Sequence, residues 1–174
     1  VGRESHSGAL QLGNELFLLC CLSFGQSNVS RNQNSGIIKV RFPEGEGTIE
    51  IRPFSQTAHY GAIQGKSYTG AMFDEAGGYS AAGWALMWQI MTNLRAPEGV
   101  KIRVMILMNP YGNSHGRAKK EFIDKAPWWT PYTDDAGLRY VNCQVNLDDN
   151  PHTDVKAYEA RLKKACQGNP EKYK

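Results

Sequence analysis

Residues 68–76, Tyr68-Thr69-Gly70-Ala71-Met72-Phe73-Asp74-Glu75-Ala76, constrain the fold more than any other stretch of the chain. Residues 70–73 carry no charge, and two adjacent carboxylates and a turn come after them. An uncharged run that stops at acids reads as a short strand covered on both faces, as in a parallel sheet. Open α/β sheets place their ligands beyond the carboxyl ends of such strands, and Asp74 and Glu75 fall there. Successive strand residues point in opposite directions, so the two acids need not share one task. One can hold a magnesium ion, directly or through water, while the other handles a water molecule. The plainer reading is a solvated strand end, or a first helical turn in which acids suit the dipole.

The neighbouring segments support a sheet. Gly77-Gly78-Tyr79-Ser80 leads into a predicted helix over 81–94, with Ser80 as N-cap and Trp84, Met87, Trp88 and Met91 at helical spacing as core contacts. Ala96-Pro97-Glu98-Gly99 ends it, and Ile102 to Met108 is a second apolar strand stopped by Asn109-Pro110. Strand, helix, strand is a βαβ unit, which places the chain in the α/β class. Upstream, residues 9–24 predict a well-buried helix and the polar stretch from Gly25 to Gly36 a loop. Ile38, Val40 and Phe42, then Ile49 and Ile51, alternate around Pro43-Glu44-Gly45-Glu46-Gly47 as a hairpin or two edge strands. Lys39, Arg41, Glu50 and Arg52 fall on its solvated face. Downstream, a third strand is expected from Tyr140 to Val145 and an amphipathic helix from about Thr153 to Cys166. Trp128 and Trp129, flanked by Pro127 and Pro131, are expected to pack a loop.

With 174 residues, one domain with a real core is the economical reading, and no internal repeat divides it. A net charge of +3 is too small to argue for nucleic acid without a local patch. Cys20, Cys21, Cys143 and Cys166 lack C-x-x-C spacing and read as buried free thiols rather than a disulfide framework. The longest apolar run, Leu16 to Leu22, is far too short to span a bilayer. No basic segment precedes it as in a signal peptide, so the sequon Asn28-Val29-Ser30 is read as a chance match.

Gln64-Gly65-Lys66-Ser67 imitates a phosphate-binding loop. That pattern needs a glycine five residues before Gly65, where Tyr60 stands, and must open into a helix rather than the strand found here. Lys66 is therefore not expected to bind phosphate. No other G-x-x-x-x-G-K-[ST] occurs in the chain.

The order of these motifs resembles one family. An apolar strand ending Asp-Glu-Ala, a helix, a strand ending Asn-Pro with a nearby His-Gly, then Asp149-Asn150-Pro151 and Gly168-Asn169-Pro170-Glu171-Lys172-Tyr173 are similar to the ATPase domain of the large terminase subunit of tailed bacteriophages. The matching segments are Gln64 to Ala76, Ile102 to Arg117 and Val141 to Tyr173. The resemblance implies a partial P-loop NTPase fold, RecA/ASCE-like, three-layered, with a mostly parallel sheet over residues 1–174. Its Walker B strand is 68–76, its coupling strand 102–110 and its C-terminal helical part 150–174. By the same resemblance Asp74 binds magnesium, Glu75 is the catalytic glutamate that activates water, and Asn109 senses the γ-phosphate of ATP. On residues alone Asn109 is equally a turn residue ahead of Pro110. His115, Arg117, Lys119 and Lys120 read as a solvated basic helix face, with contact to DNA phosphates as the other reading. Asp149-Asn150-Pro151 reads as a helix-entry turn.

The implied partners are double-stranded DNA, the portal protein, the small terminase subunit and further copies in a ring, in the host cytoplasm. The opening Val1-Gly2-Arg3-Glu4-Ser5 resembles a strand entered mid-domain, so the phosphate loop is expected upstream of Val1 and this stretch alone is expected to be inactive. Two other readings stand beside this one. A metal-dependent nuclease would pair Asp74 and Glu75 with Asp134, Asp135, Asp148 or Asp149, although these later acids have no obvious shared face. A non-catalytic interaction module would keep a P-loop-like fold without its phosphate loop.

Overall fold

The computed structural model describes residues 2–3, 6–53, 57–109 and 112–165. The chain divides into two compact units, Val1–Lys120 and Glu121–Lys174. In chain order the first contains strand β1 (Gly2–Arg3), helix α1 (His6–Phe24), and strands β2 (Val29–Asn32), β3 (Ile37–Phe42), β4 (Gly45–Glu50) and β5 (Arg52–Pro53). Strand β6 (Gly70–Phe73), helix α2 (Ala81–Met91), strand β7 (Arg103–Ile106) and helix α3 (His115–Glu121) come next, the last ending at the boundary between the units. The second unit contains strands β8 (Tyr132–Thr133) and β9 (Arg139–Tyr140) and helix α4 (Val155–Ala165).

The protein is mixed α/β with one small parallel sheet, in the order β5-β1-β6-β7. β6 and β7 pair in register from Gly70 with Arg103 to Phe73 with Ile106. An isolated parallel bridge between Tyr68 and Leu94 extends β6 backwards. The expected βαβ unit is present, and Ser80 caps α2 by accepting the Gly83 amide at 3.0 Å. Trp84 and Met87 are fully buried under this helix, and Trp88 and Met91 are half-buried. Coverage of β6 grows along its length, from exposed Gly70 to buried Phe73. Its first residue is therefore not covered as the uncharged run suggested.

β2, β3 and β4 form a separate antiparallel sheet in which β3 is central. Ala9 and Cys20 of α1 pack with Val29, Ile38, Val40 and Ile51 as its core. Here three expectations change. The polar stretch 25–36 contains β2, because Val29 has a buried slot opposite Val40 while Ser30 and Asn32 face outward. The helix over residues 9–24 is buried on one side only, with Leu18, Leu19 and Leu22 exposed. Glu50 is not solvated: its side chain is 9% exposed and takes three partners.

The second apolar strand is also less covered than its composition suggested. β7 is the outermost strand of the described sheet, and its Val104 and Met105, with Leu107 just beyond it, are exposed. In the second unit only Tyr140 of the strand expected over 140–145 enters a ladder, opposite Tyr132, and Arg139 before it pairs with Thr133. Cys143 is exposed there, whereas Cys20 is buried and Cys21 half-buried. The last helix is present as α4. Cys166, Pro110, Val1, Glu4-Ser5 and the Gly168–Tyr173 motif lie outside the described residues.

Candidate functional site

β6 brings Asp74 and Glu75 to the carboxyl end of the parallel sheet, and the hydrogen bonds there are irregular. The Leu107 amide donates to the Phe73 carbonyl at 2.8 Å, which sets Asp74 opposite Leu107. A regular parallel ladder would return the Glu75 amide to the Leu107 carbonyl. Instead the Ala76 amide makes that bond at 2.9 Å, one residue late. The extra residue makes this a bulge, and Glu75 absorbs it in the left-handed region (φ 54, ψ 36). Such a conformation costs a side-chain-bearing residue about 1–2 kcal/mol. Strain of this kind persists where the surroundings over-determine it, and it gathers at functional sites.

The surroundings do over-determine it. The Tyr79 hydroxyl donates to the Asp74 carbonyl at 2.8 Å, and the Tyr79 carbonyl accepts from Ser114 Oγ at 2.7 Å. The Ser114 amide donates to the Gly77 carbonyl at 3.0 Å. Tyr79 and Ser114 are both buried. The loop after the acids is thus laced to the loop after β7. Gly112 makes the close approach possible: at φ 92, any Cβ it carried would lie 2.9 Å from the Gly77 carbonyl oxygen.

Asp74 is half-buried and Glu75 exposed. Asn109 is exposed two residues beyond Leu107, at the same end of the sheet as the two acids. The fold therefore brings the three predicted residues to neighbouring strand ends. Pro110 and Tyr111 lie outside the described residues. His115, Arg117, Lys119 and Lys120 are exposed on α3, whose Ala118 is buried.

Among the described residues no three His, Cys, Asp or Glu side chains form a group able to hold a metal. The donor set at the β6 end fits magnesium all the same. Mg²⁺ dehydrates reluctantly and is commonly held by one or two carboxylates with substrate phosphates and water, rather than by a protein cage.

Sequence reasoning missed a second polar cluster, at the other end of β6. Glu50 Oε1 accepts from Arg52 Nη2 and Lys66 Nζ, each at 2.6 Å, and Oε2 accepts the Tyr68 hydroxyl at 2.7 Å. Burial pushes the Glu50 carboxyl up, but the bonds from Lys66, Tyr68 and Arg52 outweigh it and leave the group below its ordinary range. Burial first, then the bond to Glu50, holds the Tyr68 phenol well above its usual value. Lys66 of the imitation phosphate loop is committed to this cluster. The signal available was Glu50 in a strand with Arg52 two residues on, which alternation places on one face.

In the second unit the two tryptophans are exposed rather than packed, Trp129 at 62%. Trp129 occupies the third position of a turn closed by the Thr130 amide on the Pro127 carbonyl, at φ 64, where glycine is the default. Its amide donates to the Asn142 carbonyl at 2.7 Å, and the Asn142 side chain donates to the Phe122 carbonyl at 2.7 Å.

No family model, curated protein or solved structure matches this chain.

Proposed function

We propose that this chain is part of the ATP-hydrolysing motor that translocates double-stranded DNA into procapsids, the ATPase domain of a large terminase subunit with a P-loop NTPase fold. The observation that carries the reading is the bulge at the end of β6, where a strained, exposed Glu75 follows a half-buried Asp74 beside the strand that leads to Asn109. The parallel order β1-β6-β7 supports it, because neighbouring parallel strands deliver their terminal residues to one crevice.

In this reading Asp74 would hold the magnesium ion that accompanies ATP, and that ion would supply charge neutralisation at the β- and γ-phosphates. Glu75 would orient the attacking water and accept its proton, the task of a general base. Asn109 would report the γ-phosphate to the loop that Ser114 ties to Tyr79. The phosphates themselves need a G-x-x-x-x-G-K-[ST] loop, which residues 1–174 do not contain, so the chain by itself is expected to show no turnover. A portal protein, a small terminase subunit and a ring of copies in the host cytoplasm belong to the same reading. Among the described residues no helix is long and apolar enough to cross a membrane.

The test is the complete reading frame that encodes this chain. Magnesium-dependent ATP hydrolysis should fall by roughly 10²–10⁴-fold in Glu75→Gln, the range for loss of a positioned general base, with binding of a fluorescent ATP analogue retained. Hydrolysis at the parent rate in that variant would remove Glu75 from the role. Absence of ATPase activity in the parent frame would remove the motor.

A further inference from the structure

The second unit holds a strand edge that the described residues leave open. β9 is assigned only to Arg139 and Tyr140, but the backbone continues from Val141 to Asn146 without helix, turn or bend. Asn146 is itself extended (φ −98, ψ 166). Two contacts carry the period of a strand through this segment. The Asn142 carbonyl accepts the Trp129 amide, on the side where Tyr140 faces Tyr132 of β8. The Gln144 side chain donates to the Asn146 side chain two residues on, at 3.2 Å, as same-face neighbours do.

Backbone N–H and C=O groups of one strand residue point to the same side, and those of the next to the other. With Asn142 directed at Trp129, residues Val141, Cys143 and Val145 direct theirs to the opposite edge. Among the described residues no backbone partner meets them there. Their side chains are exposed as well, Val141 at 49% and Val145 at 73%. Natural edges are commonly blunted by lysine, proline or a bulge. Neither lysine nor proline occurs in this one from Tyr140 to Leu147.

The sequence of the edge matches itself read backwards. Val141-Asn142-Cys143-Gln144-Val145 places valine, amide, cysteine, amide, valine symmetrically about Cys143. The flanks are complementary in charge, with Arg139 before the segment and Asp148 after it. An antiparallel copy brings the basic end of one strand beside the acidic end of the other.

We infer that this edge pairs with the same edge of a second copy about a twofold axis through Cys143. In that register Val141 faces the partner's Val145, Cys143 faces the partner's Cys143, and Asn142 faces the partner's Gln144. All three odd-numbered residues form hydrogen-bonded pairs, which satisfies the open groups of both strands. The interface is isologous, unlike the heterologous contacts of a ring, and it does not depend on the ATPase reading. A five-residue strand is a small contact, so the dimer is reversible and concentration-dependent.

Sedimentation velocity of the 174-residue chain over a concentration series tests this, with two double variants at exposed positions. Val141→Lys with Val145→Lys sets like charges opposite each other at both outer pairs and should weaken the dimer by about tenfold or more. Val141→Lys with Val145→Glu sets opposite charges at the same pairs and should restore it. Hydrogen-bonded antiparallel pairs have Cα atoms about 5.5 Å apart, inside the span of a disulfide. Diamide should therefore link two chains through Cys143 in the parent and fail to do so in Cys143→Ser. A monomer at every concentration overturns the inference. So does a dimer indifferent to the double-lysine change, a Lys/Glu chain no better than the Lys/Lys chain, or a link that leaves Cys143 reduced.

Discussion

Replacing Glu50 with glutamine tests whether the cluster at the amino end of β6 holds the first unit together. The Glu50 side chain is 9% exposed and receives Arg52 and Lys66 on one oxygen and Tyr68 on the other. Glu50→Gln keeps the shape and one acceptor but removes the charge. Lys66 is 42% exposed and returns to water at little cost, as surface pairs do. Arg52, at 30%, loses a drier bond of the same 2.6 Å length. A hydrogen bond to a charged group contributes about 1.5–3 kcal/mol, so with Lys66 discounted the loss is about 2 kcal/mol. In a chain of this size that corresponds to a Tm drop of roughly 4–8 °C.

The pH dependence is the sharper part. The folded carboxyl lies below its ordinary value of 4.5, so the unfolded chain binds this proton more readily than the folded one. The stabilisation is fully present above the ordinary carboxylate range and fades as pH falls through the folded value. Thermal melts followed by near-ultraviolet circular dichroism should show a constant gap between parent and variant from pH 7 to about pH 5, narrowing at lower pH. No gap at neutral pH, or one that persists unchanged in acid, would refute the account of Glu50 as an ionised hub.

Two further predictions concern the loops. Ser114→Ala removes the buried bond to the Tyr79 carbonyl and should cost about 1–2 kcal/mol in urea unfolding, and an unchanged midpoint would mean the lacing of the two loops is not structural. Trp129→Gly should be more stable than Trp129→Ala by about 1 kcal/mol, since only glycine adopts this turn position freely, and the reverse order would exclude backbone strain there.

Local chemistry was the legible part of this fold. The βαβ unit, the Ser80 cap and the buried Trp84 and Met87 arise from patterns contained within a few residues, and the structure has them. The placement of Asp74, Glu75 and Asn109 at adjoining strand ends came from strand polarity. What escaped were features set by distant partners. β2 looks like loop because only Val29 of its four residues is plainly apolar, and pairing with β3 makes it a strand. Glu50 looks solvated until Lys66 and Tyr68, far along the chain, reach it. Trp128 and Trp129 were expected to pack their loop, but both are exposed, Trp129 at a left-handed turn position set by a hydrogen bond that no residue type announces. The bulge at Glu75 was illegible for a different reason. No residue type demands it, and it exists only in the count of hydrogen bonds against β7.

That count has a consequence for insertions and deletions. Between the Phe73 carbonyl and the Ala76 amide, two residues span a gap that a regular strand end crosses with one. Deleting Glu75 would let Asp74 bridge the gap alone and the ladder close without strain. The shortened chain would be conformationally simpler than its parent. For the sheet, then, the second acid is surplus length, and the fold accommodates it in an unfavourable backbone state that a chain one residue shorter would not need.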